Sequence, residues 1–311
     1  MRRIVSCALA AIILCLSYPL SSCRDNDAGD AYITFTDSLS NTVSLSEPPT
    51  RVAVLFSSFA QMWLLAGGEV SITVGESVER GFVDNSALLV DTGAGKHIST
   101  EQLVAYAPDF VIYSADIPAQ VNAADTLSKI GIPSAGFKVE EFSDFLSVFE
   151  IMTDITGNSD AYSKYGTEQQ KNIENLISNV GAQEEKSILF IRAGTSAKAT
   201  KAKNTESHFV ARMLSELGCR NIADDAPILL DGFSIEVILK ENPDVIFISS
   251  MGDEDAVREY MTHLLSTDLW QNLDAVKEDR CIFLPKDKFH FKPNGDWYNA
   301  YVMLWEILYE S

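Results

Sequence analysis

The stretch FSIEVILKENPDVIFIS, residues 233–249, repeats an earlier stretch of the chain, ISTEQLVAYAPDFVIYS, residues 98–114. The two align without a gap at an offset of 135 residues, and they share Ser99/Ser234, Glu101/Glu236, Pro108/Pro243, Asp109/Asp244 and Ser114/Ser249. In each copy a serine suited to capping begins a helix, Pro-Asp ends it, and an apolar strand follows. The repeat therefore predicts two lobes built from the same helix–strand unit.

The rest of the chain alternates short apolar strands with helical segments, which is typical of α/β folds. After a predicted hairpin (Tyr32–Phe35 and Thr42–Leu45), strands are predicted at Arg51–Phe56, Ile72–Gly75, Phe110–Tyr113, Ser134–Phe137, Ser187–Ile191, Val245–Ile248 and Cys281–Leu284. Between the two halves, residues 141–181 have apolar side chains at helical spacing and no strand. We therefore predict an α/β fold of two Rossmann-like lobes joined by a single long helix, with a ligand cleft between the lobes.

The first 23 residues have the pattern of a lipoprotein signal. A basic start precedes the apolar run Ile4–Leu16, which is too short to span a bilayer comfortably, and Leu-Ser-Ser-Cys follows at 20–23. An ordinary signal with a chance cysteine is the alternative. We expect an extracytoplasmic protein that is lipid-anchored to the cell membrane through Cys23. The predicted domains are a signal peptide (1–22), a tether (23–31), an N-terminal lobe (32–140), a helical connector (141–186) and a C-terminal lobe (187–311).

Composition and motifs exclude several classes of function. The formal net charge is −20, which argues against binding to nucleic acid or to an anionic membrane surface. The two remaining cysteines, Cys219 and Cys281, could pair in an exported protein or be buried thiols. No P-loop, HExxH or Cys/His zinc spacing is present, and GESVE at 75–79 lacks the second glycine of a hydrolase elbow. We therefore predict no catalytic site, no metal site and no cofactor.

Two α/β lobes, a helical connector and a lipoprotein signal together resemble the helical-backbone class of ABC-transporter substrate-binding proteins. This family serves ferric siderophores, haem, cobalamin and related cargo. The resemblance covers nearly all of the chain after its signal and includes the opening motif TFTDSLSNTVSLSEPPTRVAVL at 34–55, where Ser40 replaces the usual glycine. It implies a two-lobed receptor that delivers a small molecule to a dimeric ABC permease.

The resemblance also implies a role for the paired glutamates. Glu101 and Glu236 fall in the first turn of their helices, where an acidic residue favours the helix dipole whatever its function. In the family, each lobe presents a surface glutamate near this position, and the pair docks on arginines of the two permease subunits. The resemblance therefore implies that Glu101 and Glu236 are permease-docking residues.

In a two-lobed binder, the ligand lies at the loops that follow the carboxyl ends of the strands. Two such loops are basic, IRAGTSAKATKAKN at 191–204 and LPKDKFHFKPN at 284–294. They hold seven of the chain's 24 lysines and arginines: Arg192, Lys198, Lys201, Lys203, Lys286, Lys288 and Lys292. The predicted ligand-binding residues are these seven together with Phe56, Ser57, Ser58, Tyr113, Met251, His290 and Trp297.

Positive charge concentrated in an acidic protein indicates an anionic ligand, and aromatic residues could stack on its flat parts. A ferric siderophore or haem fits this mixture. For any one lysine, simple exposure to solvent is the better explanation, and only the two clusters together favour an anion site. His290 could donate a hydrogen bond, ligate haem iron, or simply pack between its aromatic neighbours. The ligand could instead be cobalamin or a different non-iron small molecule. A surface lipoprotein without a transport role also stays open as an alternative.

Overall fold

The computed structural model describes residues 31–180 and 184–310. The predicted signal peptide, Cys23 and the tether up to residue 30 lie outside the described residues. The strands are β1 (Ile33–Thr36), β2 (Thr42–Leu45), β3 (Val52–Val54), β4 (Ile72–Val74), β5 (Leu88–Asp91), β6 (Phe110–Ser114), β7 (Ser134–Phe137), β8 (Lys186–Ala193), β9 (Lys201–Ala202), β10 (Cys219–Asn221), β11 (Val245–Ser250) and β12 (Cys281–Leu284). The helices are α1 (Ser57–Leu65), α2 (Gly75–Glu79), α3 (Thr100–Ala105), α4 (Pro118–Ser128), α5 (Phe142–Thr156), α6 (Ser159–Tyr162), α7 (Glu168–Ser178), α8 (Phe209–Glu216), α9 (Ile222–Asp225), α10 (Ile228–Asp231), α11 (Ile235–Glu241), α12 (Glu254–Leu265), α13 (Asp274–Lys277), α14 (Lys286–Phe289) and α15 (Trp297–Tyr309). Across these described ranges, none of the helices has the length and apolar character needed to cross a membrane.

Each lobe is built on one parallel sheet. The N lobe has the strand order β5-β4-β3-β6-β7, preceded by the antiparallel hairpin β1-β2. The C lobe has the order β10-β8-β11-β12, and the short β9 pairs antiparallel with β8. Alternate residues of β3 pack into two separate clusters of the core, so both faces of the N-lobe sheet are covered, as parallel sheets require. The prediction of two α/β lobes is confirmed.

The sequence repeat is also a repeat of hydrogen bonds. The Asp109 carboxylate accepts the backbone N–H of Thr50 at 2.7 Å and of Arg51 at 2.9 Å, just before β3 begins. The Asp244 carboxylate accepts the backbone N–H and the hydroxyl of Ser187, both at 2.8 Å, near the start of β8. Each Pro-Asp therefore holds the beginning of an inner strand of its own lobe, β3 or β8.

The connector differs from the single long helix that the sequence predicts. Helix α5 ends at Gly157, whose φ of 71° is left-handed. The side chain of Asn158 then accepts the N–H of Ala161 at 3.2 Å and begins a second helical run. This run consists of α6, a π-helical turn at Ser163–Thr167, and α7. A glycine cap followed by an asparagine cap is the physical reason for the break.

One hydrophobic core extends from the N lobe through the connector into the C lobe. Trp297, the first residue of α15, packs its ring 5.6 Å from Phe142 and 6.4 Å from Phe145, both in the connector, and 5.7 Å from Phe209 in the C lobe. Because dense aromatic packing joins the two halves, this core restrains the angle between the lobes. Elsewhere in the C lobe, Cys219 is buried, Cys281 is half-buried, and both are free thiols.

Candidate ligand-binding cleft

A cavity of about 610 Å³ opens between the two lobes. Its N-lobe wall includes Arg80 and Phe82, which follow α2, and its C-lobe wall includes Lys286, Phe291 and Lys292, which follow β12. Carboxylates also line it, at Glu76, Glu79, Glu254, Asp287 and Asp296. The field inside the cleft therefore depends on which cations already have a carboxylate partner.

Arg80 is a cation of the N-lobe wall, and it is absent from the residues predicted from the sequence. Its guanidinium lies 3.7 Å from the ring centre of Phe291 and 4.5 Å from that of Phe82, and it donates a hydrogen bond to Ser57 Oγ at 3.1 Å. Burial lowers the Arg80 pKa, although nearby carboxylates partly oppose this effect. Its place in a loop close behind strand β4 is the sequence signal that could have identified it.

The ring of Phe291 gathers three basic groups. Besides Arg80, the Lys286 ammonium lies 5.8 Å from the ring centre, and the His290 ring meets it edge-on at 4.8 Å. Lys286 also donates to the carbonyl of Gly252 at 2.7 Å. An aromatic face attracts a cation without neutralising its charge, so Arg80 and Lys286 keep a positive field in the cleft.

A second ring, that of Phe209 in the C lobe, also contacts basic side chains. The Lys292 ammonium lies 4.4 Å from its centre, and the His208 ring stacks 4.9 Å from it. Lys292 reaches toward the N lobe, where its ammonium is 3.5 Å from the carbonyl oxygen of Glu140. Burial lowers the Lys292 pKa to about 8. Burial, followed by the charge of Lys292, holds the His208 pKa well below its usual value.

Arg192 and Lys203 lie near this group, because both charges act on His208, but neither is among the residues that line the cavity. In the described part of the chain, neither side chain has a hydrogen bond or an ion pair. Burial lowers the Arg192 pKa, and burial together with the charges of Arg192 and Lys201 lowers the Lys203 pKa. Burial, then Arg192 and Lys286, lowers the His290 pKa to about 4, and the buried His290 Nδ1 has no hydrogen-bond partner among described residues. Arg192 and Lys203 are therefore partly desolvated cations without an ion pair among the described residues, and His290 is a neutral ring near neutral pH.

The other predicted lysines are placed differently from one another. Lys288 forms an ion pair with Asp296, so its charge is already neutralised within the C lobe. Lys198 is exposed, and Lys201 is half-buried on β9. The half-buried Met251 donates its backbone N–H to Ala193 at 2.7 Å.

The residues that follow β3 mainly support the cleft through hydrogen bonds and packing. Ser57 is fully buried; its hydroxyl donates to Glu76 and accepts from Arg80. Ser58 is also buried, and its hydroxyl accepts from Asn294 of the C lobe at 3.2 Å. Phe56 is half-buried and meets Phe59 edge-to-face at 5.3 Å.

Two of the predicted aromatic ligand contacts lie elsewhere. Trp297 is 0% exposed because it fills the core between the connector and the C lobe, so it does not line the cleft. Tyr113 is 4% exposed and lines a different groove, of about 1230 Å³, beside hairpin β1-β2. Burial, then Asp37 and Asp125, raises the Tyr113 pKa to about 12. Trp297 follows a turn and Tyr113 lies near the end of β6. At such positions the sequence does not distinguish a residue of the cleft from a residue of the core.

The predicted docking glutamates are exposed on both lobes. Glu101 is the second residue of α3 and Glu236 the second residue of α11. Ser99 caps α3 by accepting the Gln102 N–H at 3.4 Å, whereas Ser234 occupies the same position of α11 without a capping bond from its side chain. The repeat therefore places one accessible carboxylate on each lobe at equivalent backbone positions.

Two α/β lobes, each built on a parallel sheet, face one cleft lined by cations. This arrangement defines a two-lobed binding protein for small molecules. The chain belongs to the periplasmic binding protein family, whose model matches residues 52–288, and the resemblance to ABC-transporter substrate-binding proteins is confirmed. It is 24% identical to the Fe(3+)-citrate-binding protein YfmC of Bacillus subtilis (strain 168), over 92% of this chain and 90% of that protein. It is 22% identical to the putative ABC transporter substrate-binding lipoprotein YhfQ of the same organism, over 90% of this chain and 89% of that protein. Among solved structures, it superposes with a TM-score of 0.69 and 18% identity on the siderophore-binding protein BauB bound to two molecules of acinetobactin and ferric iron, over 88% of this chain and 97% of that chain.

Proposed function

We propose that this chain is the extracytoplasmic substrate-binding component of an ABC importer and that its cargo is an anionic ferric chelate. The observation that carries the proposal is geometric: Arg80, Lys286 and Lys292 line the cavity between the lobes, and none of the three forms an ion pair with a carboxylate among the described residues. Its relatives bind Fe(3+)-citrate and a ferric siderophore by name, which supports iron as part of the cargo.

The energetics favour a ligand with several anionic oxygens. Burying a cation without a partner is costly, and a ligand that supplies the missing negative charge recovers that cost in a cleft of low polarity. Arginine can bind a carboxylate through two parallel hydrogen bonds. Haem is the weaker candidate because Trp297 and Tyr113 lie in the core and leave fewer aromatic faces for a flat ring.

The chain itself performs no chemistry in this proposal. Residues 1–22 are removed as a signal, Cys23 carries the lipid, and 23–31 tether the two lobes to the membrane. The cargo binds between residues of the N-terminal lobe (32–140) and the C-terminal lobe (187–311), and the permease ATPase supplies the energy for release and transport. YhfQ, the lipoprotein relative, supports the lipid anchor.

The experiment is a titration of the purified chain lacking residues 1–22 with ferric citrate, ferric tris-catecholate, haem and cobalamin. We expect a ferric chelate to bind with a Kd of about 1 μM or tighter. Arg80→Gln should weaken that binding at least about tenfold, since a charge-assisted hydrogen bond from the cavity wall to the anion is lost. Arg258→Gln is the matched control, because Arg258 lies on the Phe283 ring outside this cavity. A Soret band with haem, or tight cobalamin binding, without binding of either ferric chelate would contradict the proposal.

Docking on the permease is proposed to use Glu101 and Glu236, one on each lobe. Reversing both charges, Glu101→Lys with Glu236→Lys, should abolish uptake of the chelate in cells and leave its affinity for the purified chain unchanged. Glu150→Lys with Glu174→Lys, which reverses two charges on the connector helices, is the control for net charge. Normal uptake by the Glu101/Glu236 variant would rule out this docking mode.

A further inference from the structure

One segment of the C lobe, residues 286–296, lines the cleft and contacts the N lobe through Phe291, Lys292 and Asn294. At its far end, the buried Asn294 donates to the carbonyl of Ser58 at 3.1 Å and to Gln61 Oε1 at 2.7 Å, both on helix α1 of the N lobe. Three residues earlier, Phe291 presents its ring to Arg80 of the N lobe. The segment is therefore anchored on the opposite lobe just beyond the position of Phe291.

The direct contacts of Arg80 are neutral groups, while the carboxylates of Glu76 and Asp287 act on its charge without bonding to it. No carboxylate forms a hydrogen bond or an ion pair with its guanidinium in the described residues. The hydrogen bond that it does donate goes to the hydroxyl of Ser57, and its two other contacts are the rings of Phe291, at 3.7 Å, and Phe82, at 4.5 Å. Neutral contacts of this kind orient a guanidinium and leave its remaining N–H groups for an anion.

We propose that Phe291 is the positioning residue for Arg80: a ring from one lobe holds the guanidinium of the other lobe at the cavity that receives the anion. The inference rests on the proposed function, in which Arg80 faces the anionic cargo. Phe291 acts through Arg80 and through the distance between the lobes, and it does not need to touch the ligand. An aliphatic side chain of similar size would fill the same space without attracting the cation.

Three single variants test this role, with ferric citrate and ferric tris-catecholate as the probes. Phe291→Leu should weaken chelate binding roughly tenfold, the size of effect expected from a desolvated cation–aromatic contact. Phe291→Tyr keeps the aromatic face and should bind like the wild type. Phe283→Leu is the matched control, because Phe283 carries Arg258 at 4.3 Å in the same kind of contact away from the cavity.

A double-mutant cycle separates positioning from general damage to the fold. Arg80→Gln should cost clearly less affinity in the Phe291→Leu background than in the wild type, because the ring acts through the guanidinium. The same cycle measured by urea unfolding without ligand should also show favourable coupling between the two side chains. Additive effects in both cycles, or equal losses for Phe291→Leu and Phe291→Tyr, would overturn the inference. A wild-type chain that binds neither chelate would overturn the proposed function, and the unfolding cycle would still decide the contact between Arg80 and Phe291.

Discussion

At the scale of single residues, the buried charge of Lys292 lowers the free energy of unfolding, and in the proposed function it favours binding of the anion. Its ordinary pKa of 10.5 is lowered to about 8 by burial in the folded chain. Between these two values the unfolded chain binds more protons, so this residue makes stability rise as the pH increases through that window. Lys292→Met should therefore raise the free energy of unfolding at about pH 7 by up to about 3 kcal/mol and abolish this rise, while weakening chelate binding.

Urea unfolding from about pH 7 to about pH 10, together with the chelate titration, measures both effects. Lys288→Met is the matched control: Lys288 is paired with Asp296, so its removal should bring no gain in stability. Loss of both stability and affinity in Lys292→Met would show that the lysine is a structural residue of the fold and that its burial is not costly.

Several of the cleft's residues could be predicted from the sequence, because basic residues after strands of an acidic protein are unusual. That argument finds Lys286 and Lys292. It gives only a weak signal for Arg80, which follows β4 closely but is a lone basic residue between Glu79 and Gly81, and only the fold brings it onto Phe291. His208 was missed for a related reason: its position depends on the stacking of its ring on Phe209.

At the scale of elements, the repeated unit contains a backbone conformation that its sequence does not predict. The residue before each Pro-Asp has left-handed backbone, with φ of 47° at Ala107 and 43° at Asn242. Asparagine tolerates this conformation, and Asn242 also donates to Asp274 at 2.7 Å, whereas alanine is strained there. Ala107→Gly should therefore raise the free energy of unfolding by about 0.5–1 kcal/mol.

The matched variant is Asn242→Gly, which removes the bond to Asp274 and should bring no gain. Both are measured by urea unfolding of the chain lacking residues 1–22. A larger gain for Asn242→Gly than for Ala107→Gly would contradict the explanation by backbone strain.

Helices and strands of the repeat were predictable because capping serines, Pro-Asp and apolar strands are local signals. The long-range contacts that join these helices and strands could not be predicted. The carboxylates of Asp109 and Asp244 hold residues that lie more than fifty positions earlier in the chain, and such pairs leave no local pattern. The break in the connector at Gly157 has a local signal, but its continuation through a π-helical turn at Ser163–Thr167 depends on tertiary packing.

At the scale of the whole molecule, two features act together. One shared core restrains the angle between the lobes, and a cationic cleft lies between them in a chain of net charge −20. The account therefore requires that the cargo sits between Arg80 of the N lobe and the pair Lys286 and Lys292 of the C lobe. A site on the outside of either lobe would leave the desolvated cations of the cleft without a function.

The most direct measurement of this central claim is the position of bound iron. Crystals of the chain grown with ferric citrate or ferric tris-catecholate, measured at the iron absorption edge, give an anomalous map that locates the metal independently of the rest of the model. The account predicts one strong iron peak in the cavity between the lobes, with the oxygens of the chelate contacting Arg80, Lys286 or Lys292. An iron peak outside that cavity, or its absence from crystals in which the chelate is bound, would contradict it.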